Sequence, residues 1–268
     1  MMLARIVLCI VMATAMPASA KAESVLPHAA GSLRGALNEV AAAFEAAAGA
    51  RVQTKFGPSG LLKDEIAGGA KAEVFASANM EHARALAQAK RSGPVVLFAR
   101  NKLCALVRPG IAIAPATLLD RLLDPQVKLG TSTPRADPSG DYAWEVFRKA
   151  DKIKAGSFAA LDKKALQLTG GPASPPPPAG RTPYGALVAE GKADIFLTYC
   201  TNALVAQREN AGQQLVALPE ELSVGTDYGL TVVADASPSA YRLAMFILSD
   251  AGQRILTKHG FEAPALPE

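Results

Sequence analysis

Apolar residues fall into short blocks whose spacing switches repeatedly between two periods. Residues 24–29 read as a short apolar strand. From 32 to 48, Leu33, Leu37, Val40, Ala41 and Phe44 share one helical stripe, and Gly49 ends it. Residues 51–56 alternate as a strand, Gly57-Pro58-Ser59-Gly60 form a turn, and 61–67 follow as a helix. A strand over 73–77 and a helix over 80–88 complete a β-α-β-α-β rhythm, which predicts a parallel α/β sheet. Further strands are expected at 95–98, 101–108, 128–131, 193–199, 214–217 and 228–233. Helices are expected at 116–123, 142–150, 161–168, 184–190, 237–249 and 251–259. Residues 133–140 read as a long turn. Residues 170–183 read as loop, because Pro175, Pro176, Pro177 and Pro178 suit neither a helix nor an inner strand. The strand near 228–233 has no local partner and is expected to return to the first unit. The pattern implies two α/β lobes, 21–105 with 222–268 and 106–221, with a cleft between them.

The first twenty residues change the picture of where this chain works. Arg5 precedes an apolar run from Ile6 to Met16, interrupted only by Thr14. Pro17 breaks the run, and Ala18-Ser19-Ala20 is a small-x-small site. That is the layout of a secretory signal peptide cleaved after Ala20, which places the mature chain in the periplasm. The run is shorter than the roughly 20 residues a bilayer span needs. The net charge is +4, and cleavage would remove Arg5 alone to leave +3. So small and scattered an excess gives no argument for nucleic acid, so none is expected as a partner, and it modestly favours the approach of anions. Cys104 and Cys200 survive cleavage and lie on strands near where the lobes meet; an oxidising compartment allows them one disulfide. No C-x-x-C spacing supports a metal, and His28, His82 and His259 are scattered, so neither metal nor cofactor is expected. Trp144 and Phe147 share a helix stripe and read as core.

Two strand-to-helix junctions carry candidate chemistry. Ser32 follows Ala30-Gly31, and Ser59 follows Gly57-Pro58. Each serine stands where an N-cap belongs, so capping its helix is one reading. Anion binding is the other, because a helix start offers unpaired N–H donors and a partial positive charge. A nucleophilic serine would need a positioned base. His28 is the nearest histidine to Ser32, but a strand-to-turn step separates them and no G-x-S-x-G elbow exists, so no enzyme is expected. Asp137 and Asp141 read as turn formers and helix caps, and Arg34 stands one turn into the first helix of the cleft.

The segments Ala29-Ala30-Gly31-Ser32-Leu33, Phe56-Gly57-Pro58-Ser59-Gly60-Leu61-Leu62 and the run from Ala67 to Ala78 resemble the first lobe of periplasmic molybdate-binding proteins of ABC importers. Asp137-Pro138-Ser139-Gly140-Asp141-Tyr142-Ala143 resembles that family's turn before a second-lobe helix. The run from Gly191 to Ala203 is similar to its strand ending in a tyrosine. The resemblance spans almost the whole mature chain and implies a two-lobed periplasmic binding protein fold of the type II kind. It further implies that neutral groups hold the ligand: the hydroxyls and N–H groups of Ser32 and Ser59, the backbone near Ser139 and Gly140, the helix start at Pro183 and Tyr184, and the phenol of Tyr199. The implied function is capture of a small oxyanion, molybdate or tungstate, by a monomer that delivers it to the permease of an ABC importer. Sulfate, phosphate or an organic anion on the same fold is the alternative.

Overall fold

The computed structural model describes residues 24–177 and 180–264. The expected leader over 1–20 lies outside the described residues. Among the described residues, no helix is long and apolar enough to cross a membrane.

The first part of the chain runs β1 (Ser24–Val25), β2 (Pro27–Ala30), α1 (Arg34–Ala48), β3 (Arg51–Val52), β4 (Lys55–Gly57), α2 (Ser59–Ala67), β5 (Val74–Ser77), α3 (Met80–Gln88) and β6 (Val96–Val107). The middle part runs α4 (Leu118–Leu123), β7 (Leu129–Ser132), α5 (Pro138–Ile153), α6 (Ser157–Lys164), β8 (Leu166–Thr169), α7 (Pro183–Ala189), β9 (Ile195–Tyr199), α8 (Cys200–Glu209) and β10 (Gln214–Ala217). Last come β11 (Gly225–Val232), α9 (Pro238–Leu248) and α10 (Asp250–Lys258).

The strands join in the order β4-β2-β5-β11-β6-β9-β7-β8, with β10 added to β6. Strand β6 is the seam. Its first part, from Val96 to Lys102, pairs with β11. From Leu103 to Val107 it pairs with β9, and β10 lies along Cys104 to Val107. In the first half, β4, β2 and β5 are parallel, and β11 closes against β5 in the antiparallel sense. In the second half, β8, β7 and β9 are parallel. Parallel strands that are covered on both faces should be apolar along their whole length, and β2, β5 and β9 are buried at every position. Phe44, Phe98, Phe147 and Ile195 anchor one core that runs through both halves. Each such side chain contributes about 1.5–3 kcal/mol by leaving water.

Several boundaries differ from the sequence reading. The strands expected at 95–98 and 101–108 are one strand. The polar interruption at Arg100 and Lys102 is satisfied by Asp227 at 3.0 Å and Glu262 at 2.9 Å. The helix expected over 161–168 stops at Lys164. Leu166-Gln167-Leu168-Thr169 alternates and pairs with β7, a period-2 pattern too short to separate from the end of a helix. Helix α8 has no counterpart among the expected elements, because its inward face carries Thr201 and Asn202, whose polarity hides the amphipathic stripe. The strand expected over 51–56 is divided into β3 and β4, and that over 24–29 into β1 and β2. Helices α5 and α7 begin at Pro138 and Pro183, residues whose missing N–H costs nothing in a first turn.

Cys104 and Cys200 form a disulfide, with Cα atoms 4.8 Å apart. It ties the seam strand to the start of α8 and closes a loop across 96 positions.

Candidate functional site

The parallel pairing of β4, β2 and β5 brings their C-terminal ends to one edge of the sheet, so the segments after them emerge together. Ser32 lies in the 3-10 turn Gly31–Leu33 after β2, and Ser59 opens α2 after β4. Neither caps a helix. The N-cap positions belong to Ala30 and Pro58, and no side-chain cap bond forms at either. The capping reading is therefore corrected: both hydroxyls are engaged elsewhere. Ser59 is 1% exposed, and its Oγ accepts the N–H of Ala78, the residue after β5, at 3.0 Å. A hydroxyl that accepts once still has its proton to give. The Oγ of Ser32 lies 3.0 Å from the Oη of Tyr228.

The second half contributes from the ends of β7 and β9. Asp137 caps α5 by accepting the N–H of Ser139 at 3.1 Å, and its carbonyl accepts the N–H of Gly140 at 2.8 Å. Those two backbone donors are thus spent on Asp137, and the group left over is the Ser139 hydroxyl, which is buried and has no partner among the described residues. Gly140 serves by size: a Cβ there would stand 2.6 Å from Pro134 N and 2.7 Å from Ser132 O. The Oη of Tyr199, at the end of β9, is likewise buried without a partner. Burial raises its pKa well above the usual phenol value, so it is a donor at every physiological pH. Its ring packs edge-on against Tyr142 at 6.3 Å and Tyr228 at 5.7 Å. Burial also raises the Asp137 carboxyl to about 6, although the Ser139 N–H opposes that shift.

Pro183 and Tyr184 begin α7, capped by Thr182, whose Oγ1 accepts the Gly185 N–H at 3.2 Å. The Tyr184 ring packs on Phe196 at 5.3 Å, and burial pushes its phenol well above the usual range. Pro183 instead lines a cavity of about 620 Å³ beside the proline-rich loop, together with Thr133, Gln167 and Pro175. The structure thus links Ser32 to Tyr199 through the Tyr228 ring. It links the start of α2 to the turn before α5 through a hydrogen bond from Gly60 N–H to Ala136 O at 2.9 Å. The charge of Asp137 reaches the Tyr184 phenol, and Tyr184 in turn acts on Tyr199, so Tyr184 lies beside this group while Pro183 lines the cavity.

The donors are neutral. Arg34 is exposed, and its guanidinium lies 4.6 Å over the Phe56 ring. His28 turns toward Glu65, at 3.8 Å, and reaches neither serine. No group of three or more His, Cys, Asp or Glu side chains able to hold a metal exists among the described residues. Sequence reasoning missed Tyr228, Asn101 and Tyr142. Tyr228 and Asn101 meet only through the pairing of β11 with β6, 127 positions apart, and nothing local marks either one.

Helix starts from two α/β halves, joined through a shared seam strand and facing one set of buried hydroxyl donors, are the architecture of a two-lobed binding protein. The chain belongs to the family of bacterial extracellular solute-binding proteins, whose pattern it matches over residues 28–262. It is similar to an uncharacterized protein of Pasteurella multocida (strain Pm70), 34% identical over 213 residues that cover 79% of this chain and 87% of that one. Among solved structures it is similar to the periplasmic molybdate-binding protein of Azotobacter vinelandii, with a TM-score of 0.72, 16% identity, and coverage of 90% of this chain and 100% of that one. A sulfate-binding protein of Mycobacterium tuberculosis matches with a TM-score of 0.75 and 19% identity, over 90% of this chain and 87% of that one. At such identities the shared property is the two-lobed fold. The family shown is therefore broader than the molybdate-binding branch that the sequence resembles.

Proposed function

We propose that this protein captures a small tetrahedral oxyanion outside the cytoplasm, molybdate or tungstate in particular, and delivers it to the permease of an ABC importer. In this reading residues 21–105 and 222–268 make one lobe, residues 106–221 make the other, and the ion sits between them. The single observation that carries the reading is the donor set. Ser59 has a proton to give, and Ser139 and Tyr199 are buried hydroxyls without partners among the described residues. An unpaired buried hydroxyl costs about 1–3 kcal/mol, a cost that an anion entering the site would remove. A dianion stripped of water needs many well-aimed donors, and neutral ones supply them without a fixed counter-charge that would hold the ion too firmly to release. The resemblance to molybdate-binding proteins at Ser32, Ser59 and Tyr199 directs the choice among oxyanions.

Replacing Ser59 by Ala tests this. One hydrogen bond to a charged ligand contributes roughly 1.5–3 kcal/mol, so molybdate affinity should fall about tenfold to a hundredfold. Ser59 does not cap α2 but accepts the Ala78 N–H, so losing that bond should cost the unliganded fold about 1–3 kcal/mol and lower its melting temperature by a few degrees, whatever happens to affinity. Calorimetric titration beside a melting curve separates the two effects. Parent-like affinity in the variant, together with a lowered melting temperature, would reduce Ser59 to a structural bond with Ala78.

A further inference from the structure

Asn101, Tyr228 and Thr201 are all buried, at 5%, 0% and 4% exposure, and they meet where β6 passes between the two halves. The N–H of Lys102 donates to Asn101 Oδ1 at 2.9 Å, which settles the orientation of the amide. Its Nδ2 therefore faces Thr201 Oγ1 at 2.9 Å and Tyr228 Oη at 3.3 Å. An amide NH2 can only donate, so the Tyr228 oxygen accepts from it. The Tyr228 proton then has one remaining partner among the described residues, Ser32 Oγ at 3.0 Å. If Tyr228 accepted from Ser32 as well, its own proton would be buried unpaired. The chain of donation thus runs from Asn101 to Tyr228 to Ser32, and the Ser32 proton is left to be given outward. The Tyr228 ring cannot swing to another arrangement, because Phe98, Tyr199 and Phe261 pack it edge-on at 6.3, 5.7 and 5.4 Å.

We infer that Asn101 and Tyr228 are positioning residues that hold Ser32 as a fixed hydrogen-bond donor, so that the site accepts an oxyanion carrying no proton and discriminates against a protonated one such as hydrogen phosphate. The inference rests on the oxyanion reading proposed above. Molybdate, tungstate and sulfate carry no proton at neutral pH, and every one of their oxygens accepts. Phosphate keeps at least one P–O–H, which needs an acceptor. A serine locked as donor sets proton against proton there, whereas a freely rotating serine could turn and accept. Nothing in the line is charged, so the discrimination depends on the direction of the hydrogen bonds alone.

The test is Tyr228→Phe, which keeps the packed ring and removes the phenol oxygen. It is read by competition titration with sodium molybdate and with inorganic phosphate at pH 7. Molybdate affinity should fall about fivefold, the effect of one neutral hydrogen bond, while phosphate affinity holds or rises. The preference for molybdate over phosphate should therefore fall at least about fivefold. Repeating the substitution in a Ser32→Ala background asks whether Tyr228 acts through Ser32; there the preference should no longer respond. An unchanged preference in Tyr228→Phe overturns the inference, and so does an equal drop with Ser32 already absent. A parent protein that binds neither ion removes the oxyanion reading itself, whereas a parent that binds molybdate beside an indifferent Tyr228→Phe removes only this inference.

Discussion

A side chain at Gly60 is expected to reduce oxyanion affinity by at least about a hundredfold while leaving the protein folded. Gly60 stands in the first turn of α2, and its N–H donates to Ala136 O across the boundary between the two halves. A Cβ there would stand 2.7 Å from Ala136 O and closer still to Arg135 O, both of them backbone atoms that cannot swing aside. Arg135 itself has φ 68, so the facing turn has little freedom to relax. The helix gains from the change, since Ala is favoured over Gly by up to about 1 kcal/mol in a helix. What suffers is the approach of the turn before α5, and with it the Ser139 hydroxyl and Tyr199 as ligand donors. Losing two bonds of roughly 1.5–3 kcal/mol each amounts to the stated factor. Gly60→Ala should thus melt at or slightly above the parent temperature without ligand and lose its response to molybdate. Parent-like affinity in Gly60→Ala would show that the two halves need not come this close to hold the ion.

Removing the disulfide should have the largest effect on stability. The bridge between Cys104 and Cys200 spans 96 positions, and the chain-entropy model assigns about 4–5 kcal/mol to a loop of that size. Replacing both cysteines by Ala should lower the guanidinium unfolding midpoint accordingly. Ligand affinity in the folded fraction should hardly change, since neither sulfur is among the proposed ligands. Coincident unfolding curves for the parent and the double variant, with and without reductant, would contradict this account. The result also bears on where the protein works, because a bridge of this kind persists in an oxidising compartment.

The first half of the fold was the more legible in the sequence for a physical reason. From 24 to 88, each helix buries an apolar stripe, β2 and β5 are buried along their whole length, and 51–56 alternates, so the period alone separates helix from strand. In the second half, polar residues turn inward: Thr198, Thr201 and Asn202 are buried and bonded to one another or to Asn101. That inward polarity erased the stripe of α8, and the four residues of β8 were too few to reveal their alternation. The junctions at Ser32 and Ser59 were visible as serines after Gly-containing turns. Their hydroxyl partners were not visible, because Ala78 and Tyr228 are brought to them by strand pairing alone. Pairings of such sequence separation leave no local trace, which is why Asn101 and Tyr228 emerge only from the structure. The cysteines illustrate the intermediate case: the leader expected over 1–20 implies an oxidising compartment, while the proximity of the two sulfurs comes from β6 and α8 meeting.

Thermal melting of the mature chain, with and without sodium molybdate, tests the central claim most directly. A ligand at 100 times its dissociation constant adds about 2.7 kcal/mol to the folded state. For a chain of this size that corresponds to a rise of roughly 5–10 °C. The account predicts that rise with molybdate and with tungstate, and a much smaller one with phosphate at the same concentration. No shift with molybdate, tungstate or sulfate at millimolar concentration would contradict it.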